Sequence, residues 1–124
     1  MSEIQESNSI IVTKSYSFAI DVVMLYKKLV EKNEFILSKQ LLRCGTSIGA
    51  NVNEAISAES KKDFVHKLGI ALKEARETVY WLKLLKDSNY LIQDAFEMNI
   101  SKCSELIKIL SSIILTTKQR YSIN

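Results

Sequence analysis

The chain has no proline and only three glycines in 124 residues. A fold with many turns needs more of both, because glycine supplies positive φ and proline presets turn geometry. Composition alone therefore favours long helices joined by few loops. Cysteine is also scarce. Cys44 and Cys103 stand far apart without metal-type spacing, which predicts two reduced, buried thiols. The single histidine, His66, follows Asp63 by three residues. A di-iron bundle needs a Glu-x-x-His pair on each of two helices, so one histidine cannot supply it. His66 is expected at the surface or in a capping turn. No run of about 18 apolar residues occurs, and no membrane partner is expected. The opening MSEIQESNSI lacks the basic and apolar regions of a signal peptide, so the cytoplasm is the expected location.

What remains is helical periodicity in a chain long enough for one domain with its own core. Residues 1–12 read as a polar, flexible N-terminal arm, and residues 13–121 as the bundle domain. A first helix is predicted from about Ser15 to Glu31, with Ala19, Val22, Tyr26 and Leu29 on one face and Asn33 just past its end. A second runs from Leu37 or Ser38 to about Ser57. Ser60 is a good N-cap for a third, with Asp63 three residues on, and apolar spacing carries that helix to about Asp87. A fourth starts near Gln93 and reaches Arg120. Four helices with short loops predict an all-α, antiparallel, up-and-down four-helix bundle.

The fourth helix carries Leu106, Ile107, Ile109, Leu110, Ile113 and Ile114 over an arc of about 160°, wider than one core stripe needs. Leu115 falls outside that arc. With Ile70, Trp81 and Leu84 on the third helix, this predicts packing against further copies of the chain, as a homo-oligomer; the alternative is a wide stripe that serves one small bundle.

Formal net charge is +3, which permits an anionic partner without requiring one. Basic residues cluster where the third helix starts and the fourth ends. Lys61, Lys62, Lys67, Lys118 and Arg120 are the candidates for contact with RNA or DNA. Tyr80 and Trp81 lie in an apolar context and are expected to pack. Binding would then be driven by the phosphate backbone and weaken with salt.

The stretch RCGTSIGANVNEA, from Arg43 to Ala55, holds two of the glycines and a line of polar residues. It is no P-loop, because Ala50 and Asn51 follow Gly49 where Lys-Ser/Thr is needed, and no strand precedes it. On a helix, Arg43, Ser47, Asn51 and Glu54 run down one side. Gly45, Ile48, Val52 and Ala55 run down another, and Gly49 lies four residues beyond Gly45. The glycines predict a close helix–helix approach. The polar line reads as an internal or inter-subunit hydrogen-bond ladder, with Arg43 or Glu54 finding a charged partner; a ligand-binding role is the alternative. No nucleophile elbow or metal cluster is present, so no catalytic residue, cofactor or enzymatic activity is expected.

Gln40, Leu41, Arg43, Ser47, Ile48, Asn51, Val52 and Glu54, then Ser60, Asp63 and Phe64, then Tyr90, follow a recognisable pattern. It resembles that of the four-helix proteins encoded in intervening sequences of 23S ribosomal RNA genes. The resemblance covers about half the chain closely and the remainder in helix order. It implies a homo-oligomer, a ring of five, since the related accessory variability protein of diversity-generating retroelements is a pentameric barrel. It also implies a nucleic-acid-associated role for some members, with partner proteins as the alternative, and no catalytic residues.

Overall fold

A computed structural model of the chain describes residues 3–124, with side chains from residue 6 onward. Four helices follow in order: α1 Glu3–Glu31, α2 Leu37–Ile56, α3 Lys61–Asp87 and α4 Gln93–Arg120. Among the described residues there is no strand. α1 packs on α2 and α4, and α3 packs on the same two, so α1 and α3 stand at diagonal corners.

Cross-helix contacts fix the directions. Gly45 faces Val22 and Gly49 faces Ser15, so α1 and α2 run oppositely. Lys14 pairs with Glu105 and Lys102 with Asp21, which orients α4 against α1. Lys61 reaches Tyr121 while Lys86 reaches Phe96, which orients α4 against α3. The fold is thus an up-and-down bundle. Its core is Phe18, Val22, Leu29, Leu41, Ile48, Leu68, Leu82, Leu106 and Leu110 with smaller neighbours, each at most 1% exposed.

Local signals set the helix ends. Ser60 has extended backbone, and its hydroxyl accepts the Asp63 N–H at 3.0 Å, which caps α3. α1 ends at Asn33, which adopts φ 64°. There the Glu34 N–H bonds Leu29 C=O and the Asn33 N–H bonds Val30 C=O, both at 2.9 Å. α3 ends the same way at Asn89, with φ 66°. Asparagine tolerates this left-handed turn better than other residues with a Cβ.

The N-terminal arm expected over residues 1–12 is not an arm from Glu3 onward. That part is helix, and Ile11 is wholly buried; residues 1 and 2 lie outside the described residues. The core stripe of α1 runs Ile11, Ser15, Phe18, Val22, Leu25, Leu29. Ser15 interrupts its apolar character, and that hides the first two turns from a search for apolar period. Ser15 is buried because Gly49 lets the backbones approach, and its hydroxyl donates to Val12 C=O at 3.3 Å.

Candidate nucleic-acid interface

Ser60 sets the phase of α3, and the phase decides what its outer face presents. Phe64, Leu68, Ala71, Ala75, Leu82 and Leu85 turn into the core. On the opposite side, at spacings of four and three, stand Lys62, His66, Gly69, Lys73, Arg76, Tyr80 and Lys83. All seven are exposed. No carboxylate interrupts them until Asp87 closes the helix. At about 1.5 Å per residue the stripe is about 32 Å long. None of its four cations is in an ion pair among the described residues.

The carboxylates of α3 are turned elsewhere. Glu74 and Glu77 face α2, where Arg43 holds both, the first at 3.3 Å and the second in a shorter contact. Glu77 also accepts the Trp81 indole N–H at 3.0 Å. Arg43 therefore does two things. It clamps α2 to α3, and it neutralises the acids that would otherwise oppose the basic face.

At its N-terminal end the stripe borders an open groove of about 420 Å³ between α3 and α4. Lys62, His66, Gly69 and Lys73 form one wall, and Ile114, Lys118 and Ile123 lie across from them. No Asp or Glu lines it. The antiparallel packing brings the last turn of α4 beside the first turns of α3, so Lys118 joins residues 56 positions away or nearer in sequence.

Of the five basic candidates from sequence, Lys62 and Lys118 line this groove. Lys61 does not. Its ammonium sits 5.1 Å from the Tyr121 ring and 5.9 Å from Phe64, at the neighbouring cleft. Lys67 is half-buried on another side of α3, and Arg120 is exposed outside the groove. The sequence reading did not select Lys73, Arg76 and Lys83, although their spacing from Lys62 on one helical face was available. Tyr80 departs from its expected packing role, being 58% exposed, whereas Trp81 is half-buried. The Trp81 ring braces Tyr80 edge-on, with centroids 5.0 Å apart and planes at 80°.

The signature stretch on α2 divides by face. A Cβ on Gly45 would meet both Val22 methyls at 2.8 Å, and one on Gly49 would meet Ser15 O at 3.4 Å. The expected close approach is therefore the α1–α2 seam. Within one copy the polar line does not form a continuous ladder. Arg43 finds charged partners, Asn51 donates to its own helix at Ser47 C=O (2.8 Å), and Glu54 is exposed with no charged partner among the described residues.

Both thiols are buried. Burial, and then the proximity of Cys44, pushes Cys103 up to about 12; burial also raises Cys44. At neutral pH both are protonated, and Cys103 donates to Ala75 C=O at 3.2 Å. Among the described residues no three His, Cys, Asp or Glu side chains gather as a metal site.

Among the described residues, the exposed large apolar side chains include a row on α1, a helix the sequence did not point to. On α4, Leu106, Leu110 and Ile113 are buried, Ile107, Ile109 and Ile114 are partly buried against the core, and Leu115 is 58% exposed. On α1, Tyr16, Ile20 and Met24 are 65%, 49% and 50% exposed. They lie directly opposite Phe18, Val22 and Leu25. Over Glu6–Glu31 the helix is long and apolar enough to cross a membrane by length and composition. Apolar character on both faces is unusual for a helix at the outside of a bundle.

No curated protein matches the chain. A solved structure does: that of a protein of unknown function from the S23 ribosomal protein family of Bacteroides thetaiotaomicron VPI-5482. It is 50% identical, with a TM-score of 0.86, over 87% of this chain and 97% of that one. The sequence profile of 23S rRNA-intervening sequence proteins matches residues 7–112. The bundle and its signature on α2 are thus those of a known lineage, and the chain belongs to the 23S rRNA-intervening sequence protein family.

Proposed function

We propose that this protein is a non-enzymatic, oligomeric four-helix scaffold that holds RNA or DNA by its phosphate backbone. The observation that carries the reading is the outer face of α3. Lys62, Lys73, Arg76 and Lys83 are exposed there and unpaired among the described residues, with no carboxylate between them. A row of cations about 32 Å long matches a polyanion better than a small ligand. Charge reversal tests this. Lys73→Glu with Arg76→Glu is expected to abolish retention of structured RNA and duplex DNA at low salt while leaving helicity intact. Undiminished retention by that variant would sink the reading.

The outer stripe of α1 supports the oligomeric part of this reading. Covering Tyr16, Ile20 and Met24 with a second copy removes apolar surface from water. The family resemblance suggests a pentameric ring, which would repeat the basic face five times and strengthen its field. The same α1 stripe favours the alternative, a module that binds a partner protein and no nucleic acid. A protein partner that survives nuclease treatment in a pull-down, together with no retention of nucleic acid, would select that alternative.

A further inference from the structure

Two residues on the basic face of α3 have no part in attracting phosphate, and both lack an explanation inside the bundle. Gly69 sits mid-helix, where glycine weakens a helix relative to alanine. It does not have positive φ, so no turn requires it. A Cβ built there meets nothing within 4 Å, whereas Gly45 and Gly49 each face a close neighbour on α1. The bare backbone at 69 opens onto the groove midway between Lys62 and Lys73. Tyr80 is the other. It lies eleven residues further along the same stripe, about 16 Å by helical rise. Its ring is 58% exposed, yet Trp81 braces it at 5.0 Å, and Glu77 holds Trp81 in turn. An exposed aromatic held in one orientation is a stacking platform whose ordering is already complete before a ligand arrives.

Resting on the reading of this face as a nucleic-acid interface, we infer that its ligand is an unpaired strand. The sugar–phosphate backbone passes against α3 at Gly69, and a base stacks on Tyr80. A duplex keeps its bases stacked on one another and offers none to Tyr80. The cations alone would serve either form, so Tyr80 is what distinguishes them. Stacking tolerates any base, which gives preference for strandedness without sequence reading.

The test uses the full chain with a 20-nucleotide single strand and a blunt duplex of the same sequence, at low salt. The parent is expected to bind the single strand more tightly, with a change in emission from its single Trp, Trp81. Tyr80→Ala should weaken single-strand binding about 10-fold and leave duplex binding unchanged, while Tyr80→Phe retains it. Gly69→Ala should raise the melting temperature by a few degrees. Gly69→Leu should weaken the single strand without altering the salt dependence, since no charge is removed. Equal affinity for both forms, or parental single-strand affinity in Tyr80→Ala, overturns the inference. So does a lowered melting temperature in Gly69→Ala, which would give the glycine a structural reason. Unchanged binding in Lys73→Glu with Arg76→Glu is a different failure, because it removes the interface itself.

Discussion

Arg43 leaves α2 and reaches two carboxylates on α3, and its guanidinium is half-exposed while Glu74 is largely covered. Solvent screening keeps such a pair modest, but removing Arg43 also leaves Glu74 and Glu77 facing each other on one helix. Arg43→Ala is expected to lower unfolding stability by about 1 kcal/mol. Chemical denaturation measures it, and a double-mutant cycle with Glu77→Gln should show coupling. Gly45 gives a sharper result. An alanine there drives a methyl into Val22, which is β-branched and buried, so Gly45→Ala should cost about 1–3 kcal/mol. Gly45→Ala combined with Val22→Ala should cost less than the sum of the single changes, because the smaller residue accepts the added methyl. Gly49→Ala, with ordinary contact distances, should sit near neutral. The signature on α2 showed in sequence that glycines meant close approach. It did not show that the seam was with α1, because helical spacing defines a face and not what the face meets.

At the scale of elements, α2 begins on a cap that is not a serine. Glu34, itself buried, accepts the N–H groups of Ile36 at 3.2 Å, Leu37 at 2.9 Å and Ser38 at 2.6 Å, and Ser38 Oγ returns a bond to Glu34 C=O. Burial works to raise this carboxyl, but the N–H donors from Leu37, Ser38 and Ile36 outweigh it and hold the pKa below the ordinary 4.5. A lowered folded value means stabilisation that is full above the unfolded pKa and lost as pH falls through the folded one. Stability should therefore be flat near neutrality and decline below about pH 4.5. Glu34→Gln should flatten part of that acid limb and cost about 1 kcal/mol at pH 7, read from denaturation midpoints across pH. The C-terminal end of α1 and the ends of α2, α3 and α4 are legible because Asn33, Ser60 and the loop residues announce them. The start of α1 is not, since Ser15 on its core face looks like a solvent position until Gly49 stands opposite. Likewise the basic face of α3 was missed as a face. Clusters of adjacent lysines do not reveal it, because the relevant neighbours recur every three or four residues.

For the whole molecule, two surfaces stand out among the described residues once the core is closed, one apolar on α1 and one basic on α3. They belong to opposite corners of the bundle, since α1 and α3 each pack on both α2 and α4. An assembly built through α1 would leave α3 free to face a polyanion. Ile20→Lys with Met24→Lys is expected to reduce the mass measured in solution to that of fewer copies without loss of helicity. Light scattering together with circular dichroism checks both, and an unchanged mass would move the contact elsewhere. Four lysine and arginine side chains against a single strand should give a slope of log K on log salt near −2.8, or about 50-fold weaker binding from 50 to 200 mM. The direct measurement is that slope for the parent and for Lys73→Ala with Arg76→Ala, by fluorescence anisotropy on a labelled 20-nucleotide strand. Removing two cations should bring the slope to about −1.4. A slope that is flat in the parent, or the same in both proteins, would overturn the reading of α3 as a phosphate-binding face.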